Sequence, residues 1–416
     1  MHTDVAVIGG GIVGLATARA LLWSGTTDSV QLLEKEPVLS AHQSTHNSGV
    51  LHAGLQYAPG SEKARLARTG IRAMTEYCRH HGIPHDICGK LVVATDESEV
   101  PRLDALLERG RANGLQGLRR LTPEEAREVE PHVGCVAAIQ VPEEGIVDYQ
   151  AVCEALAGEI RDAGGVLRTG EGVRELVSEG IPGGTGFRWR IGTNAGECSA
   201  RVLVNCAGLH VDRVARLAGE RPEMSVIAFR GEYQELRPQR RHLVRHLIYP
   251  VPEPGFPFLG VHFTRRIGGG VDAGPNAVLA FAREGYRLRS VNLRDLGEFL
   301  LFPGLRRFVV RHGGMVRREL LQSAFRSRLL AALRRLVPEI QPQDLAPAGS
   351  GVRAQGMRRD GTLIQDFLWL ERPGAVHVLN APSPAATASL SIGAVVAEKV
   401  GRMLVHSAPS GKGGGQ

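Results

Sequence analysis

Val5-Ala6-Val7-Ile8, then Gly9-Gly10-Gly11-Ile12-Val13-Gly14, then Leu15-Ala16-Thr17-Ala18-Arg19-Ala20-Leu21-Leu22 follow one another without a break near the start of the chain. An apolar run, glycines in the G-x-G-x-x-G spacing and a stretch of helix formers predict a buried strand, a tight turn and a helix. Gly9 lets the turn close, Gly11 lets backbone approach a pyrophosphate, and Gly14 lets the helix pack closely; the helix N-terminus offers unpaired N–H groups to the phosphates. A second apolar run, Val30-Gln31-Leu32-Leu33, ends at Glu34, the place from which a carboxylate hydrogen-bonds an adenosine ribose. Together these features predict an ADP-containing dinucleotide as ligand, and Glu34 would repel the 2′-phosphate of an NADP-type molecule.

At 416 residues the chain is long enough for two or three domains and a large core, and 43% hydrophobic residues is ordinary for a globular protein. No secretory signal precedes the first strand and no apolar run reaches membrane-spanning length, so the expected address is the cytoplasm. The six cysteines show no C-x-x-C pair and no metal-ligand rhythm, which suits reduced thiols and predicts no metal site. The net charge of +7 is concentrated in arginines between positions 283 and 335. Their alternation with apolar blocks, as in Leu305-Arg306-Arg307-Phe308-Val309-Val310-Arg311, fits either amphipathic helices with solvated arginines or a surface that lies on an anionic membrane. The second reading would make the protein peripheral on the inner face of the cell membrane. No module or aromatic-interleaved basic stripe suggests nucleic-acid binding.

Beyond Glu34, the polar segment 40–57 reads as backbone laid along an extended ligand. Helices are expected over 61–81, 97–113, from the capping box Thr122-Pro123-Glu124-Glu125, over 148–163 and over 211–217, with strands at 91–94, 165–168, 173–177 and 200–208. From about 223 to 345 the chain is richer in β-type segments, as a second layer would be. A last strand, 375–380, leads through Ala381-Pro382-Ser383-Pro384 into a small-residue helix expected to start near Ser383 and run to about 403. Its small residues allow close packing on a ligand or strand. The Gly/Ser/Pro-rich tail from 406 to 416 reads as disordered.

The three pieces 9–34, 200–208 and 377–393 resemble the FAD-dependent oxidoreductases of the D-amino-acid-oxidase-like, glutathione-reductase-type group. Within that group, several blocks are similar to the L-2-hydroxyglutarate oxidase/dehydrogenase family. They are His46-Asn47-Ser48-Gly49-Val50-Leu51-His52-Ala53-Gly54, Phe229-Arg230-Gly231-Glu232-Tyr233, the segments 249–252 and 256–264, Gly274-Pro275-Asn276-Ala277, Gly351-Val352-Arg353-Ala354-Gln355, and Asn380-Ala381-Pro382-Ser383-Pro384-Ala385-Ala386-Thr387. One departure is Ile267-Gly268-Gly269-Gly270-Val271-Asp272, a glycine-rich link where the family carries a short polar turn. The resemblance implies an α/β fold. A discontinuous Rossmann-type FAD-binding domain (1–82, 147–222, 346–405) would be interleaved with a mainly antiparallel substrate domain (83–146, 223–345). It implies non-covalent FAD, with attachment through His52 as the alternative, and oxidation of L-2-hydroxyglutarate to 2-oxoglutarate, electrons passing to oxygen or a membrane quinone. An amine- or glycine-type oxidase of the same fold and a non-catalytic dinucleotide-binding protein are the competing readings.

Oxidising a 2-hydroxy acid requires hydride loss to flavin N5 and proton loss to a base, for which histidine is suited by its pKa. His52 and His262 are both candidates. A dicarboxylate calls for cations at its two ends, and arginine pairs bidentately with carboxylate. Arg353 is the first choice and Arg230 the second, with Tyr249, and more weakly Arg265, completing the pocket. The expected FAD contacts are Gly9, Gly11, Ile12, Val13, Gly14, Glu34 and Lys35, then His42, Gln43, Ser44, Asn47, Ser48 and Gly49. Val173, Ala207, Gly208, Gly351, Ser383, Ala385, Ala386 and Thr387 follow, the last group through a helix dipole aimed at the flavin's pyrimidine edge.

Overall fold

The computed structural model describes residues 2–180, 187–253, 260–287 and 289–406. The expected tail at 407–416 and residues 256–259 of the block that ends at Thr264 lie outside the described residues. The opening strand, His2–Ile8, pairs in parallel with Val30–Leu33 on one side and Gly196–Asn205 on the other. Val5, Ala6 and Val7 are fully buried because both faces are covered, the Val5 and Val7 face by helices and the Ala6 face mainly by the ribbon residues Leu176, Trp189 and Ile191, which is why the strand reads as a continuous apolar run. Among the described residues this sheet has eight strands, extended by Val166–Arg168 at one edge, by the antiparallel ribbon Val173–Gly180 and Phe187–Thr193 at the other, and by Ala375–Asn380 and Leu368–Arg372.

Helix Ile12–Trp23 leaves the first strand through the glycine turn and packs against the C-terminal helix, Ser389–His406. A Cβ on Gly393 would stand 2.4 Å from the Ala16 carbonyl oxygen, so at this position the small residue serves close packing against another helix. The helix also starts later than expected. Pro382 and Pro384 have no N–H to give, and residues 383–388 form turns, with Ala385 N–H on the Pro382 carbonyl and Ala388 N–H on that of Pro384. The helix N-terminus placed near Ser383 is therefore at Ser389.

The second sheet is mainly antiparallel and has nine strands among the described residues. Its backbone is the pair Met224–Leu236 and Leu345–Arg358, which runs from Met224 opposite Arg358 to Leu236 opposite Leu345 with one register shift between Glu232 and Gln234. Lys90–Ala94 joins it in parallel to Leu247–Pro250, which ties residues from before the crossover into the same layer. The glycine-rich link at 267–272 is a hairpin turn between His262–Arg265 and Val271–Gly274, with Arg266 N–H on the Gly270 carbonyl. The β-rich description of this part holds only to Leu279. Residues 293–336 fold as four helices, Leu293–Leu301, Pro303–Arg311, Gly313–Ala324 and Arg326–Leu336. Arg283, at the head of the arginine-rich stretch, is not a surface group. It is 1% exposed and pairs through two nitrogens with the buried Asp212, at 2.5 and 3.0 Å, and so fastens this segment to the helix Val211–Leu217.

Candidate active site

The glycine turn opens on a continuous cavity of about 1070 Å³ that runs between the two sheets, from Gly9 to Arg353. This exceeds the ~300–1,000 Å³ of ordinary small-ligand pockets, as an extended dinucleotide requires. At the nucleotide end, Gly9 has φ +108, and a Cβ there would lie 2.5 Å from the Cys206 carbonyl oxygen. Gly14 does not line the cavity. A Cβ on it would fall 1.9 Å from the Gly9 carbonyl oxygen, so it is what allows the helix to start against its own turn. A Cβ on Gly10 would meet the side chains of Leu39, at 2.6 Å, and Glu34, at 2.9 Å. The Glu34 carboxylate, 8% exposed, accepts hydrogen bonds from the N–H groups of Gly10 (2.7 Å) and Glu36 (2.8 Å), which aim it at the cavity with lone pairs to spare.

Gly9, Gly11, Ile12, Val13, Glu34, Lys35, His42, Gln43, Ser44, Asn47 and Ser48 all line this end, and Val173, Ala207 and Gly208 face them. Ser44 Oγ accepts the Ile12 N–H at 2.9 Å and stands at the mouth of the helix. Asn47 spends its amide on the Gln43 and Ser44 carbonyls and its oxygen on the Gly49 N–H, so it shapes the loop. Gly49 lies outside the cavity lining and bends the chain at φ +69. Lys35 and His42 belong to a charged cluster at the rim. Lys35 Nζ pairs with Glu36 and, at 2.7 Å, with Glu284, which His210 also contacts at 2.8 Å. Burial would raise the Glu284 carboxyl, but His210 and Lys35 hold it down at about 2.

At the far end the cavity is lined by His52, Tyr249, His262 and Arg353, together with Gly351, Ser383, Ala385, Ala386 and Thr387. Thr387 Oγ1 lies 2.9 Å from the Tyr149 hydroxyl and accepts the His52 N–H at 3.2 Å, which anchors the turn beside the histidine. Arg265 pairs with Asp86 at 2.9 Å and is not in the lining. Arg230 is a correction. It neighbours Gly231 on a strand whose side chains alternate, so with Gly231 facing the cavity Arg230 faces away, and its guanidinium pairs with Glu232 at 2.6 Å. A dipeptide read without its strand's orientation does not reveal which face a side chain takes.

The two histidines sit in different settings. His262 is 4% exposed, stacks on Tyr249 with ring centroids 4.0 Å apart, and donates from Nδ1 to the Gly260 carbonyl at 2.8 Å. Burial, reinforced by Arg353 and His52, pushes its pKa down to about 3, so it is neutral with Nε2 free to accept. His52 Nδ1 lies 3.4 Å from Oε2 of Glu144. Glu144 is 1% exposed and also accepts from Lys90 Nζ at 2.6 Å and the Ala53 N–H at 3.2 Å. Burial acts to raise its carboxyl, but Lys90 and His52 outweigh it and hold the pKa at about 2. A permanently ionised carboxylate thus orients one imidazole, the arrangement of a histidine base. Sequence reading missed Glu144 and Lys90. Glu144 looks like an exposed turn acid in Pro142-Glu143-Glu144-Gly145, and its only signal is the apolar runs on either side.

The glycine cradle, the aimed Glu34 carboxylate and the cavity's continuation past the turns at 383–388 fit FAD, with an adenosine at Glu34 and a pyrophosphate at the helix mouth. In agreement, the family profile of FAD dependent oxidoreductases matches residues 4–399, and the chain belongs to that family. Among curated proteins it is similar to the L-2-hydroxyglutarate dehydrogenases of Indibacter alkaliphilus (46% identical over 399 residues, 96% of this chain and 98% of the relative) and Escherichia coli K12 (42% over 409 residues, 98% and 96%). The mitochondrial L-2-hydroxyglutarate dehydrogenase of Homo sapiens is 41% identical over 411 residues, 95% of this chain and 88% of the relative. These matches place the chain in the L-2-hydroxyglutarate dehydrogenase branch of the family. Solved structures at 22 and 20% identity share the fold. The FAD-bound L-alpha-glycerophosphate oxidase of Mycoplasma pneumoniae has a TM-score of 0.77 over 97% of this chain and 95% of its own. The glycine oxidase of Geobacillus kaustophilus has 0.71 over 96% and 95%.

Proposed function

We propose that the protein oxidises L-2-hydroxyglutarate to 2-oxoglutarate with FAD as cofactor. The observation that carries this is the meeting of Arg353, a carboxylate-backed histidine and a neutral histidine at the far end of a cavity that begins at a dinucleotide cradle, in a chain similar over its whole length to L-2-hydroxyglutarate dehydrogenases. Bound FAD supplies the two-electron acceptor. Arg353 holds the carboxylate next to the reacting carbon by a bidentate pair. His52, with Nδ1 turned to Glu144, takes the hydroxyl proton at Nε2, and Glu144 stabilises the imidazolium that results. His262, whose Nδ1–H is committed to Gly260, offers Nε2 as an acceptor that aligns the hydroxyl. Tyr249 fixes the plane of His262 by stacking. The attachment is non-covalent, and His52 is kept for the proton.

Anaerobic titration tests this directly. L-2-hydroxyglutarate is expected to bleach the flavin spectrum, while D-2-hydroxyglutarate, glycine and sarcosine leave it. Bleaching by an amine, or by none of the four, overturns the reading.

Residues 1–82, 147–222 and 359–405 are assigned to the FAD-binding part and 83–146 and 223–358 to the substrate part, which moves the expected boundary at 345/346 to 358/359. Strand Leu345–Arg358 goes with the latter because it pairs along its length with Met224–Leu236.

For the electron acceptor we favour a membrane quinone over oxygen. No helix among the described residues is long and apolar enough to cross a membrane. Yet Leu293, Leu300, Leu301, Val309 and Val310 are exposed on the helices between 293 and 336 and Phe325 on the link between two of them, among exposed Arg306, Arg307 and Arg311. Apolar groups flanked by arginines suit an anionic bilayer surface. The protein is expected to float with anionic vesicles at low salt and to be released at raised salt. Failure to float at low salt removes the membrane and leaves oxygen, read as peroxide formed per turnover.

A further inference from the structure

A five-carbon dicarboxylate needs a cation at each end, yet of the three arginines the sequence singles out for the pocket only Arg353 lines the cavity. Lys63 also lines it. It is the second residue of helix Glu62–His80, whose first N–H groups are taken by Ser61 Oγ and by the Asp366 carboxylate, at 3.1 Å to Glu62 and 2.8 Å to Lys63. A cation in a helix's first turn opposes the helix dipole, so the helix itself does not favour a lysine at this position. Its Nζ donates to the Gln365 carbonyl at 3.2 Å and lies 4.7 Å from the centroid of the Tyr57 ring. No ion pair among the described residues includes it, and two of its three N–H donors are left for a ligand.

The two cations line the same cavity but have different nearest neighbours. Arg353 acts electrostatically on Tyr233, Tyr249 and His262. Lys63 sits over Tyr57, whose hydroxyl lies beside Ser383 and within reach of Glu144, the partner of His52. We propose that Lys63 binds the carboxylate at the far end of the substrate chain and so selects a dicarboxylate over a monocarboxylate 2-hydroxy acid; this rests on the oxidation proposed above. A point charge on a flexible stem suits the mobile end of a chain, as the planar fork of arginine suits the fixed end. In support, burial outweighs the attraction of Asp366 and lowers the Lys63 ammonium to about 8, a cation short of anionic company.

The test uses the FAD-loaded enzyme and two dead-end probes, glutarate and pentanoate, which differ in one terminal carboxylate. Wild type is expected to bind glutarate more tightly than pentanoate, read as a change in the flavin spectrum. In Lys63→Met the dissociation constant for glutarate and the KM for L-2-hydroxyglutarate rise about 10- to 100-fold, the loss of one hydrogen bond to a charged group. The affinity for pentanoate, the kcat, the flavin content and the unfolding temperature stay at wild-type values, and Lys63→Arg recovers part of the glutarate affinity. The proposal is overturned if glutarate affinity does not change, if both probes weaken alike, or if kcat or flavin content falls instead of affinity. Wild-type enzyme that L-2-hydroxyglutarate does not reduce sinks the functional reading itself, which no Lys63 outcome does.

Discussion

Anaerobic reduction of the bound flavin by L-2-hydroxyglutarate slows about 10²- to 10⁴-fold in His52→Gln, the span that loss of a positioned general base produces. The substitution removes the proton acceptor and keeps much of the volume. The backbone N–H of His52, which is what binds Thr387, is untouched, so flavin content is expected to remain at one per chain. His262→Gln gives the contrast. A ring held neutral, with pKa near 3 and its Nδ1–H committed to Gly260, is a poor proton acceptor at neutral pH. Its loss should cost about tenfold, the value of one aligning hydrogen bond. Stopped-flow absorbance on both variants decides the assignment. A collapse in His262→Gln with His52→Gln near wild type would reverse the two roles.

What could be read from sequence follows from how far apart the cooperating residues lie. The glycine turn and Glu34 are one local unit, since Glu34 bonds to Gly10 across 24 positions within a single βαβ element, and spacing alone conveyed the ligand class. His52, His262 and Arg353 were reachable because each stands in a block similar to a known family. Glu144 was not, because its meaning comes from Lys90, 54 positions away, and from His52, far from it in sequence. Arg230 was misplaced for the related reason that only the pairing of Gly231 with Gly351 fixes which face of the strand looks into the cavity. The last helix shows the limit of composition. Small residues told that something packs closely at Gly393, but the partner, Ala16 of the first helix, is settled only in three dimensions. Lys63 carried a local signal that was available and unused, a lysine at the end of a helix that disfavours cations.

Glu144→Gln joins stability to catalysis at one atom pair. Lys90, 5% exposed, has its ammonium 2.6 Å from Glu144, and the glutamine leaves it buried beside a neutral amide. Breaking a buried pair from one side costs about 3–5 kcal/mol, because the remaining charge is uncompensated. Urea unfolding at pH 7 should show that loss, and Glu144→Gln/Lys90→Met should recover most of it, since the double variant buries no charge. The pH dependence has a definite sign. The folded pKa of Glu144 is depressed from 4.5 to about 2. Its contribution is therefore full above the unfolded value and is lost as pH falls from about 4.5 towards 2, a window in which the wild type loses stability and Glu144→Gln does not lose this part. The same substitution leaves His52 without the carboxylate that orients Nδ1 and stabilises the imidazolium, so flavin reduction slows as well. The double variant separates the two effects: it regains stability but not rate, because removing the Lys90 ammonium restores the charge balance of the core and returns nothing to His52. Recovery of both would mean that Glu144 serves the fold alone.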